Sequence, residues 1–83
     1  MDEITAVGKV LKRLRKQKGL SQFDLGMLTG FQQNQISQYE NRGVNKLDTI
    51  KVFAEFYETT VSKIIEMAEE YTPADEEDAR IEQ

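Results

Sequence analysis

SQFDLGMLTGFQQNQISQYENRG, residues 21–43, reads as two short helices joined by a tight turn. Ser21 suits an N-cap, because its hydroxyl oxygen can accept a backbone N–H of the first helical turn. Asp24, three residues on, completes a capping-box-like pair and puts a carboxylate at the positive end of the helix. Leu25 and Leu28 are three apart and can share a face. Gly30 stops this helix, since glycine adopts positive φ without steric penalty. A second helix follows over roughly Gln32 to Asn41, with Ile36 and Tyr39 as one narrow apolar stripe.

The rest of that second helix is amide and hydroxyl: Gln32, Gln33, Asn34, Gln35, Ser37, Gln38 and Asn41. A merely solvated face is more often built from Glu and Lys, which are better helix formers or better solvated. An amide offers a donor and an acceptor side by side, the pair needed to grip the N7/N6 edge of adenine in the major groove. Amides near the N-terminus of a helix that follows a helix–Gly turn are the pattern of a recognition helix. Taken alone, the segment is also compatible with a plain polar face on a small helical bundle.

Upstream, residues 3–18 form a helix on which Ile4, Val7, Val10, Leu11 and Leu14 recur at helical spacing. Its other face carries Lys9, Lys12, Arg13, Lys16 and Lys18, a run that can be a solvated face or a phosphate-facing one. Leu20 then enters the core. Downstream, Asn41 to Lys46 is a polar loop turning at Gly43. Leu47 to Tyr57 is a fourth helix with Leu47, Ile50, Phe53, Ala54 and Tyr57 on its core side. Thr60 caps a fifth, whose apolar face is Val61, Ile64, Ile65 and Ala68. Phe53, Phe56 and Tyr57 read as core or dimer contact rather than as a ligand box. Thr72-Pro73-Ala74-Asp75 has the pattern of a helix start, so the end of the chain is either a short acidic helix or disordered.

With 83 residues, no cysteine and no histidine, the chain has the size of one small domain and lacks disulfides, thiolate metal ligands and the commonest general base. Residues 1–70 are expected to form the folded domain and 71–83 an acidic tail. The net charge of −4 argues against a nucleic-acid binder until it is located. Residues 1–68 hold ten Lys or Arg against eight Asp or Glu, whereas residues 69–83 hold one against seven. The acidity therefore belongs to the tail. Catalysis finds little support: no carboxylate sits in an apolar context, no glycine loop cradles phosphate, and Ser21, Ser37 and Ser62 have no histidine to activate them. No enzyme activity, metal or cofactor is expected. No apolar run is long enough to span a membrane and no signal-peptide pattern is present, so a cytoplasmic location is expected.

The segment LSQFDLGMLTGFQQNQISQYENRG resembles the helix-turn-helix of the XRE or Cro/repressor-like family of bacterial and phage DNA-binding domains. The likeness rests on Gln22 opening the first helix of the motif, Leu25 followed by the small Gly26, the turn glycine Gly30, the buried Ile36, and the run Tyr39-Glu40-Asn41. It extends from about Val7 to Ile65, and Leu-Asp-Thr-Ile-Lys-Val-Phe-Ala is similar to the family's fourth helix. Lambdoid phage repressors that start the recognition helix with Gln-Gln are similar, with Gln33 and Asn34 in those places. Thr29 stands where Val or Leu is usual, Phe31 where a smaller residue is common, and the loop after Gly43 lacks the frequent proline.

The resemblance implies an all-α, five-helix, lambda-repressor-like domain with the helix-turn-helix at helices two and three. It implies base-edge contacts from Gln32, Gln33, Asn34, Ser37 and Gln38, and backbone contacts from Ser21, Gln22, Asn41, Arg42 and Lys46. It also implies an ion pair between Arg15 and Glu40, part of the basic face of the first helix turned toward the DNA, and a homodimer joined through the fourth and fifth helices, including Phe56, Tyr57 and Ile64. The implied function is double-stranded DNA binding as a small Cro-like repressor at a palindromic operator. The alternative is a protein-interaction module on the same fold, such as an antirepressor, an antitoxin or a polymerase-contacting partner. In it the acidic tail binds a protein partner or lies over the domain's own basic face.

Overall fold

Four of the helices begin where a side chain takes up a backbone N–H. In a computed structural model describing residues 2–72, these are α1 (Glu3–Gln17), α2 (Gln22–Thr29), α3 (Gln33–Arg42) and α5 (Val61–Glu69); α4 (Leu47–Phe56) has no such cap. There is no strand among the described residues. The Asp2 carboxylate accepts from the Thr5 N–H at 2.8 Å, the Ser21 hydroxyl from the Asp24 N–H at 3.0 Å, and the Thr60 hydroxyl from the Lys63 N–H at 3.1 Å. The Ser21 N–H donates back to Asp24 at 3.1 Å, closing the capping box. At α3 the direction is reversed: the Gln32 N–H donates to the Gln35 side chain at 2.9 Å. Over the described residues the fold is the all-α, five-helix domain expected. The acidic residues from 73 onward lie outside the described residues.

Helix α1 packs against α3 on one side and α5 on the other; α2 rests on α3, and α4 on α5. Val7, Val10, Leu11, Leu25, Ile36, Phe53 and Ile64 form the buried centre, joined by Ala6, Val44 and Ala68. Phe53 anchors an aromatic group, with Phe31 stacked at 5.3 Å, Tyr39 edge-on at 6.0 Å and Tyr57 at 6.4 Å between ring centroids. This accounts for two departures from the family pattern. Phe31, in the turn between α2 and α3, joins the aromatic group instead of facing solvent. Thr29 ties the turn with its hydroxyl, which donates to the Leu25 carbonyl at 2.7 Å and accepts from the Phe31 N–H at 3.4 Å.

Where α1 and α3 meet, the backbones come too close for a side chain. A Cβ on Gly43 would overlap the Ile4 carbonyl, and Gly43 has φ +99°, a conformation that other residues rarely adopt. The end of α3 is therefore held directly on the first turn of α1.

Three apolar residues placed on core faces by periodicity are exposed instead. Ile4 is 46% accessible, Leu28 61% and Leu47 54%. Ile4 and Leu47 lie in the first turns of α1 and α4; Ile4 meets the Gly43–Val44 backbone through its carbonyl, yet much of its side chain stays accessible. Leu28 lies only about 60° around the helix from Leu25, but one turn further along a helix of eight residues of which Leu25 alone is buried.

Candidate nucleic-acid interface

Helix α3 has two chemically different faces. Ile36 and Glu40 are buried at 0% and 2% accessibility, with Tyr39 half-buried beside them. Gln33, Asn34, Gln35, Gln38, Asn41 and Arg42 are exposed, and Ser37 is half-exposed. The exposed face meets α2 at an open recess lined by Gln22, Gln33, Asn34, Ser37 and Gln38. The recess thus gathers four of the five residues expected to reach base edges with one of those expected to hold the backbone. Gln32 is outside it as the α3 N-cap. Ser21, Asn41, Arg42 and Lys46 are exposed but do not line it. The Ser21 hydroxyl is engaged in its cap, and Asn41 Nδ2 donates to Ser37 Oγ at 3.2 Å.

A buried polar network sets the position of this face. Arg15 Nε donates to Glu40 Oε2 at 2.7 Å and a terminal guanidinium nitrogen to Glu40 Oε1 at 3.0 Å, a two-pronged pair joining α1 to α3. The other terminal nitrogen donates to the Leu20 carbonyl at 2.8 Å. Gln22 Nε2 donates to Glu40 Oε1 at 3.1 Å. Glu40 is therefore a junction of α1, α2 and α3, and it fixes Gln22 at the edge of the recess. Tyr57, the C-cap of α4, feels the charges of this junction. Burial first, then the Glu40 carboxylate, pushes its hydroxyl well above the usual tyrosine range, with Arg15 opposing. The hydroxyl has no hydrogen-bond partner among the described residues.

The exposed face of α3 presents several donor–acceptor amides on a helix about 10 Å wide, which suits a major groove about 12 Å wide. A family model described as a helix-turn-helix domain matches residues 6–64. The chain belongs to that helix-turn-helix family. No curated protein matches it. Family membership points to DNA as the partner and to transcription regulation as the role. In this helix-turn-helix domain, no helix among the described residues is long and apolar enough to cross a membrane.

Phe56, Tyr57 and Ile64 are the residues expected at a dimer contact. Ile64 is fully buried and Tyr57 is 9% accessible, both inside the domain's own core, so neither offers a second copy a surface. Only Phe56 keeps part of its ring accessible, packed edge-on against Tyr57 at 5.1 Å. An apolar residue at helical spacing has the same signature whether it faces its own core or a partner. Two contributors to the site went unread in the sequence. Gln35 caps α3, which the Gln32-x-x-Gln35 spacing could have shown. The Leu20 carbonyl holds Arg15, for which no side-chain signal exists.

Proposed function

We propose that the chain is a sequence-specific, double-stranded-DNA-binding repressor of the XRE or Cro-like kind, acting in the cytoplasm as a homodimer on a palindromic operator. The observation that carries this reading is the recess: Gln33, Asn34, Ser37 and Gln38 project from one face of α3 beside a Gln22 that Glu40 holds in place. Gln33, Asn34 and Gln38 read base edges, with Ser37 and Gln32 assisting. Gln22 and Ser21 at the start of α2, and Asn41, Arg42 and Lys46 beyond α3, contact phosphates and set the register. Two copies related by a two-fold axis place their recognition helices about 34 Å apart, one turn of DNA. The half-accessible Phe56, at the end of α4, is the member of the expected dimer set that a second copy can reach.

Selection of bound duplexes from a random library by the full chain tests this reading. An inverted repeat with half-sites about one helical turn apart is the expected product. Weak binding without a shared motif, abolished by moderate salt, would refute sequence-specific regulation.

A further inference from the structure

The basic stripe of α1 connects two places that the fold keeps apart. Lys9, Lys12, Arg13 and Lys16 follow each other at helical spacing, each half-exposed. At one edge of the stripe the Arg13 guanidinium lies over the Tyr71 ring, 5.7 Å from its centroid. Tyr71 packs on the core just before Thr72, so the chain leaves the described structure beside Arg13. Toward the C-terminal end of the stripe lies Lys16, whose pKa is lowered from its usual range by burial and then by the adjacent Lys12 and Arg15 charges, while Glu40 acts in the opposite direction. Glu40 in turn holds Gln22 at the recess. Positive charge is thus crowded along a path from the exit point of the chain to the border of the DNA-reading face.

The segment beyond this exit point carries the complementary charge. Residues 73–83 contain Asp75, Glu76, Glu77, Asp78 and Glu82 against the single Arg80. Lys9 and Lys16 are two turns apart, about 10 Å along the helix, whereas eleven extended residues span over about 35 Å. Reach is therefore no obstacle. A tether this short also raises the local concentration of the acidic segment to about the millimolar range, enough for a weak contact to be populated.

We propose that the α1 stripe Lys9–Lys12–Arg13–Lys16 is a docking surface for the chain's own acidic segment, residues 73–83. Docked there, the carboxylates occupy the charges that would otherwise meet DNA phosphates, and the segment acts as a built-in competitor for the backbone contacts of α1. The occupant is set by the two observations together: the stripe is uniformly basic, and the one strongly acidic segment of the chain departs from its edge. The competition rests on the DNA-binding reading given above; the docking itself does not.

The test compares the full-length chain with its D75N/E76Q/E77Q/D78N variant. Without DNA, at about 50 mM salt, backbone amide chemical shifts should differ in α1 between Lys9 and Lys16 and at Tyr71. The differences should vanish by about 0.5 M salt, where charges are screened beyond a few ångströms. No difference in α1, or differences centred on Arg42, Lys46 or Lys51, would overturn the docking surface whatever the DNA result. With a DNA duplex, the variant should bind about three- to tenfold more tightly at low salt, and the gap should close as salt rises. Docking by chemical shift with equal DNA affinity at every salt concentration would overturn the competition. Failure of both proteins to bind DNA would fall on the proposed function and leave the docking result intact.

Discussion

The two faces of α3 are both polar in part, and the polar groups do opposite work. On the inner face Glu40 is 2% accessible and receives three hydrogen bonds, two from Arg15 and one from Gln22. On the outer face Gln33, Asn34 and Gln38 are exposed around an open recess. A charge buried away from water is tolerable only while its partners are in place. An exposed amide costs the fold almost nothing and remains available to a partner. Substitutions on the inner face should therefore appear in stability, and those on the outer face in recognition.

The largest effect is expected at the junction. Glu40→Ala leaves the Arg15 guanidinium, whose side chain is 9% accessible, without its carboxylate. The expected loss is about 3–5 kcal/mol of stability, because the surviving charge stays buried and uncompensated. A domain this small would then be near its unfolding threshold at room temperature. Thermal and urea melts check this; an unchanged midpoint would mean that the pair is not buried in solution.

The outer face should respond in the other quantity. Gln33→Ala is expected to leave the melting midpoint unchanged while removing about 1–3 kcal/mol of discrimination at one base-pair position. If the same substitution instead lowered the melting midpoint as Glu40→Ala does, the division of α3 into two faces would fail.

A smaller effect, of opposite sign, is expected beside the junction. Tyr57→Phe removes a buried hydroxyl that has no hydrogen-bond partner among the described residues. The variant should be as stable as the parent or more so, by up to about 1 kcal/mol, since an unsatisfied buried polar group is unfavourable. A clear loss of stability in equilibrium unfolding would show that the hydroxyl is satisfied in solution.

The smallest effect lies at the start of α2. Hydrogen bonds from the Ser21 backbone and then its side chain hold the Asp24 carboxyl below 3.8, its ordinary value. A carboxylate depressed in the folded state stabilises that state above its unfolded pKa, and this contribution is lost as pH falls through the folded value. The advantage of the parent over Asp24→Asn should thus be present at about pH 5 and disappear by about pH 2 in thermal melts. A difference independent of pH would remove the charged cap from the account.

What the sequence disclosed follows the range of the interaction. Ser21 with Asp24, and Thr60 with its first-turn N–H, are contacts three residues apart, and spacing reveals them. The amides of α3 were legible from residue type, since a run of Gln and Asn on a short helix has few structural uses. Arg15 and Glu40 are 25 residues apart, and no periodicity joins them; only the family resemblance suggested the pair. Burial was least legible where it depends on neighbours. Leu28 and Leu47 repeat correctly with their helices yet lie beyond the reach of adjacent elements, and Ile64 and Tyr57, expected between two copies, fill the core of one.

On the proposed function, the outer face of α3 reads sequence while the Glu40 junction only positions it. The most direct measurement is the affinity of the parent and of Gln33→Ala for every single-base variant of the selected operator, at one fixed salt concentration. The variant should lose preference at one base-pair position in each half-site and keep the parent's profile elsewhere, with an unchanged melting midpoint. An identical profile for the two proteins, or a uniform loss across all sequences, would contradict it.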